Sequence, residues 1–108
     1  MDQERSYIEI PYTLAQDHTI FIILQEESIA LWCKKVDWIA EHGGMVFLKT
    51  HPDYMTFADR SKRRYEYPIQ NYLDFLRYIE TRYRGQYWHV LPCELAKFWA
   101  TRYPTIME

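Results

Sequence analysis

The sequence predicts an α/β fold: a small three-stranded parallel sheet with three or four helices. Three observations carry that prediction. Short strand-like apolar runs alternate with longer stretches whose apolar residues recur every three or four positions. Gly43-Gly44 joins the clearest helix directly to the clearest strand, so the two are neighbours in space. The resulting order of strand, helix, strand, helix, strand, helix implies right-handed βαβ units.

Tyr7–Ile10 alternates apolar and polar residues and ends at Pro11, as a short strand does. Thr13-Leu14-Ala15-Gln16 has the capping-box pattern, and Asp17 is a second helix N-cap candidate. Thr19–Gln25 is read as a helix because Asp17 and Glu26-Glu27 frame it, although β-branched Ile20, Ile22 and Ile23 favour a strand. Ser28 caps the next helix, which runs to His42. Ile29, Trp32, Cys33, Val36, Ile39 and Ala40 share one of its faces. His42 lies in its last turn, where the helix dipole favours a cation.

Gly43 and Gly44 can take the positive φ that ends this helix. Met45–Thr50 follows as a buried strand, apolar without alternation over Met45–Leu48. Tyr54–Tyr67 is a long connection with a charged centre. Pro68 opens a helix whose apolar stripe is Ile69, Tyr72, Leu73, Leu76, Ile79 and Tyr83, and Gly85 stops it. Tyr87–Leu91 reads as the third strand. Pro92 opens the last helix, with Leu95, Ala96, Phe98 and Trp99 as its buried side and Pro104 beyond its end. Three strands look like a piece of a larger α/β barrel or sheet.

With 108 residues, one domain spanning 1–108 is the natural expectation, with a frayed polar end over residues 1–6. The formal charge of -2 gives no electrostatic case for nucleic acid or an anionic membrane. The one basic cluster, Arg60-Ser61-Lys62-Arg63-Arg64, is flanked by acidic residues and reads as a solvated loop. Ten Tyr and four Trp are a surplus that suits aromatic packing or a surface that faces sugars or partners. Cys33 and Cys93 lack metal or redox spacing and read as buried thiols of a reducing compartment, so a cytoplasmic location is expected. No apolar run reaches the ~20 residues of a membrane span, and the first residues do not read as a signal peptide.

The chemistry-bearing groups are few. Thr50, His51 and Asp53 cluster where the central strand should stop, and Pro52 pushes His51 towards extended backbone. Chemistry in α/β sheets gathers at such carboxyl ends, so His51 is the first candidate, with Asp53 as a candidate orienting group. The alternative is a histidine that only hydrogen-bonds within its turn. Asp17-His18 follows the first strand, and a His/Asp group at one rim could bind a metal or move protons. His89 reads as a packed mid-strand residue. No dinucleotide fingerprint, phosphate loop, nucleophile elbow or zinc-protease motif is present.

Ile10-Pro11-Tyr12-Thr13-Leu14, Gln16-Asp17-His18-Thr19, the run from Trp32 to Met45, Thr50-His51-Pro52-Asp53-Tyr54 and Tyr87-Trp88-His89-Val90-Leu91-Pro92 together resemble the C-terminal part of polysaccharide-deacetylase-like proteins. The resemblance spans about Ile10 to Trp99 and rests on order and spacing. It implies the last β/α units of a distorted (β/α) barrel. It also implies metal-dependent removal of acetyl groups from amino sugars, with His51 in the role of general acid. The family's metal-binding Asp and paired His residues have no match here: there is no Thr-Phe-Asp-Asp and no His-x-x-x-His. No cofactor is therefore expected in this chain, and a divalent metal such as zinc only in a complete family member.

The chain then reads as a fragment or truncated relative of such an enzyme, inactive without the missing N-terminal half. Carbohydrate is the candidate partner, with Tyr54 and Trp88 as candidate substrate-binding residues. The other expectation is self-association through an open sheet edge. A non-catalytic carbohydrate-binding or protein-interaction module is the alternative.

Overall fold

The computed structural model describes residues 7–57 and 61–104, and among them the sheet has two strands. Strand β1 (Met55–Thr56) pairs in parallel with β2 (Tyr67–Pro68), and Met55 stands opposite Tyr67. Three α-helices are present among the described residues: α1 (Ala30–His42), α2 (Ile69–Arg82) and α3 (Pro92–Arg102). A π-helix at His18–Ile23 and a 3-10 turn at Pro52–Tyr54 complete the elements. The protein is thus mixed α/β, but its strands are not the expected ones. Tyr7–Ile10, Met45–Thr50 and Tyr87–Leu91 are not strands, and both strands fall within or beside the stretch read as a long connection. The expected frayed residues 1–6, and residues 58–60 of that connection, lie outside the described residues.

Met45–Thr50 fails as a strand for a visible reason. It runs beside residues 13–17, in the same direction, with Thr13 N–H donating to the Phe47 carbonyl at 2.9 Å and Asp17 N–H to the Lys49 carbonyl at 3.4 Å. The return bonds go to side chains instead of backbone. Phe47 N–H donates to Thr13 Oγ1 at 2.8 Å, and His51 N–H to Asp17 Oδ2 at 2.7 Å. Side-chain acceptors of this kind compete with a regular ladder. Thr13 therefore ties two segments together and does not cap a helix.

The described residues form two compact units, Tyr12–Gly85 and the described parts of Met1–Pro11 with Gln86–Glu108. In the first, Leu14, Ile20, Phe21, Trp32, Val36, Met55, Tyr67 and Phe75 make the core. Its centre is a run of rings: Tyr67 stacks on Phe21 at 4.4 Å, Phe21 meets Trp32 edge-on at 5.1 Å, and Trp32 meets Phe75 at 4.9 Å. Burying one such side chain is worth about 1.5–3 kcal/mol. Trp32 Nε1–H donates to the Ala15 carbonyl at 2.7 Å, so the indole is satisfied as well as buried.

Helix α1 buries Trp32, Val36 and Ile39 as its spacing predicts, while Ala40 is exposed. Gly43 has φ +81°, a left-handed conformation that only glycine takes without strain, and the helix ends there. Helix α2 turns Phe75 into the core, whereas Leu73 and Leu76 remain exposed. Asp37 of α1 joins the two helices by accepting from Tyr78 at 2.7 and 2.9 Å and from Tyr83 at 2.5 Å.

In the second unit, α3 buries no residue. Leu95 and Ala96 are half-buried, but Phe98 and Trp99 are exposed, which corrects the expected buried side. Trp88 packs edge-on against Phe98 at 5.2 Å, and Trp99 lies against Tyr103 at 4.4 Å.

Candidate functional site

Asp17 is the hub. It precedes the π-helix and caps it, with Oδ1 accepting from His18 N–H at 2.8 Å. Oδ1 also accepts from His51 Nδ1–H at 2.7 Å, while Oδ2 accepts from His51 N–H and from the Tyr67 hydroxyl, both at 2.7 Å. The side chain is 0% exposed. An unpaired carboxylate would be costly there, but these four bonds use the lone-pair sites a carboxylate offers. π-Helical turns recur at functional sites because they shift a side chain out of the α-helical register. Here the irregular turn begins directly after Asp17.

His51 is reached from the other side. Its backbone is extended, with φ -132° and ψ 113°, as expected before Pro52. The imidazole is 29% exposed. A carboxylate accepts only, so the bond to Asp17 makes Nδ1 the donor. Nε2 has no protein partner among the described residues and is the nitrogen left for chemistry. The Tyr54 ring meets His51 edge-on at 5.2 Å and His18 at 5.1 Å, so one phenol ring contacts two imidazoles. Tyr67 is buried, and burial together with the Asp17 carboxylate pushes its hydroxyl far above the ordinary phenol range. It therefore remains a donor.

His51 and Tyr54 come together. The carboxylate that orients His51 belongs to Asp17, while Asp53 is exposed on the 3-10 turn. Trp88 and His89 are exposed in the other unit. Asp17 and His18 had a local signal, as a cap and as a His/Asp pair. Tyr67 had none, because nothing near it in sequence hints at a carboxylate 50 residues away.

The lone pairs of Asp17 are taken up by four donors, and Nδ1 of His51 is bonded to Asp17. Among the described residues no three His, Cys, Asp or Glu side chains gather in a way that could hold an ion. Cys33 is half-buried on α1, and its thiol is raised by burial and by nearby Asp37, while Cys93 is exposed in the other unit.

The arrangement has the parts that proton transfer needs. A buried carboxylate fixes the tautomer and orientation of an imidazole and stabilises the imidazolium, and the outer nitrogen gives or takes the proton. Comparison with protein-family models, with curated proteins and with solved structures found no match for this chain.

Proposed function

We propose that this chain carries the proton-handling side of an amide-hydrolysing site, as the C-terminal segment or a truncated relative of a metal-dependent amino-sugar deacetylase built on a distorted (β/α) barrel. The observation that carries the reading is the 2.7 Å bond between fully buried Asp17 and His51 Nδ1, with no partner for Nε2 among the described residues. In the proposed step Nε2–H gives its proton to the departing amine nitrogen as the carbon–nitrogen bond breaks. The imidazole becomes neutral and the amine leaves neutral. Asp17 stabilises the charged form beforehand. Water activation is not assigned to residues of this chain. Tyr54, in ring contact with both His18 and His51, is the surface proposed to meet the sugar.

NMR titration with glucosamine oligomers, the amine product of such a reaction, tests the reading. Resonances of His51, Tyr54 and His18 should move together, and His51→Ala should abolish the effect. If millimolar oligomer leaves these three residues unmoved, the reading is wrong. A second reading, a non-catalytic sugar-binding or interaction module, is favoured by the exposed Trp88, Phe98, Trp99 and Tyr103. Shifts confined to those rings would support it instead.

A further inference from the structure

We infer that Tyr67 is a positioning residue that acts on His51 through Asp17, holding back part of the carboxylate's charge from the imidazole. The two oxygens of Asp17 are divided between partners. Oδ1 serves His51 Nδ1 and the His18 backbone, and Oδ2 serves the His51 backbone and the Tyr67 hydroxyl. A phenol at 2.7 Å is a strong neutral donor to an anion. Charge drawn towards Oδ2 is charge that Oδ1 cannot offer to the Nδ1 proton, and bonds in such a chain polarise one another.

The fold holds Tyr67 to this task. Its backbone stands opposite Met55 in the two-stranded pair, and β1 begins at the end of the 3-10 turn that follows His51. Its ring stacks on Phe21, 2% of the residue is exposed, and only the hydroxyl makes a polar side-chain contact. The small sheet thus sets the register that brings a phenol to the far side of the carboxylate. Among the described residues, the other groups recorded around His51 are few. The Tyr54 ring lies at its edge, His18 touches the same ring, and Asp53 is exposed on the adjoining turn. None of them bonds to Asp17 through its side chain.

This inference rests on the reading of His51 as the proton carrier, but its test observes the imidazole itself. The Nδ1–H resonance of His51 is recorded in the intact chain at about pH 5. Tyr67→Phe removes one oxygen and keeps the stacked ring. The Nδ1–H line should move downfield, because Asp17 then holds that proton more strongly. A purely structural role for Tyr67 would change stability and leave the line in place, so an unmoved line, or one moved upfield, overturns the inference.

A second measurement needs no variant. In mixed H2O and D2O, the Nδ1–H line of the unaltered protein should be displaced when the Tyr67 hydroxyl carries deuterium. A line indifferent to the isotope also overturns the inference. The sugar titration is independent: its failure would remove the substrate and leave the coupling intact.

Discussion

His51 and Asp17 are bonded twice, through the imidazole Nδ1 and through the backbone N–H, each at 2.7 Å and to different carboxylate oxygens. One residue thus fixes both the position of the turn and the rotation of the ring. Asp17→Asn replaces acceptors with an amide that must point two hydrogens at existing donors. Removing one partner of a buried charged network costs on the order of 3–5 kcal/mol, and an amide that keeps one oxygen should cost about 2–4 kcal/mol. Urea unfolding should show the loss. Imidazole nitrogen shifts should show that the Nδ1-protonated tautomer is no longer enforced.

The link between α1 and α2 makes stability depend on pH at both extremes. Hydrogen bonds from Tyr83 and Tyr78 hold the Asp37 carboxyl below its usual value. A group depressed on folding stabilises above its unfolded value, and that contribution is lost as pH falls through the folded one. Tyr78 is pushed up to about 12, chiefly by the Asp37 hydrogen bond and then by burial. A raised group stabilises below its unfolded value, so its contribution falls away between about pH 10 and about 12. Denaturant midpoints should therefore drop at both ends in the unaltered chain. Asp37→Asn should flatten both limbs; unchanged limbs in that variant would exclude the link as their cause.

Much of the helical framework was legible before the fold was known, because its signals are local. The spacing of Trp32, Val36 and Ile39, together with Gly43, defines α1 from neighbouring residues alone, whereas the N-cap is Ile29, with no side-chain cap bond, and not the expected Ser28. Pro68 and Pro92 announce α2 and α3. The sheet was not legible, since two residues per strand are too few for a period of two to appear. Met45–Leu48 has the composition of a strand, but Thr13 and Asp17 capture the N–H groups of Phe47 and His51 with their side chains. No rule of composition reveals that substitution of acceptors. His51 was recognisable from Pro52 and its polar neighbours. Its partner was sought at Asp53, two residues away, because sequence proximity cannot show that residues 13–17 return alongside 47–51. Phe75 was missed for a related reason: Leu73 and Leu76 fit a helical stripe equally well, and only packing against Trp32 selects the face.

The cysteines should differ in reactivity. Cys93 is exposed, whereas the Cys33 thiol is half-buried and raised by burial and by Asp37. Only the thiolate alkylates readily. Brief treatment with iodoacetamide should place one label per chain, on Cys93, as read by peptide mass spectrometry. Equal labelling of Cys33 would contradict the packing of α1.

Phe75→Ala should destabilise the first unit by about 3–5 kcal/mol, the range for deleting a buried aromatic ring. The residue is 1% exposed and closes the run of rings at Trp32. A cost below about 1 kcal/mol in chemical denaturation would mean that α2 does not pack there.

Trp32 gives the molecule a built-in optical reporter. Trp38, Trp88 and Trp99 are each about half exposed, whereas the Trp32 indole is enclosed and bonded to Ala15, two residues before Asp17. Its fluorescence should therefore be blue-shifted and shielded from acrylamide, beneath a quenchable emission from the other three. Loss of the shielded component would report that residues 13–17 have left α1, and hence that the seat of His51 has come apart. The assembly of the site can then be followed by light alone, without a substrate and without a label.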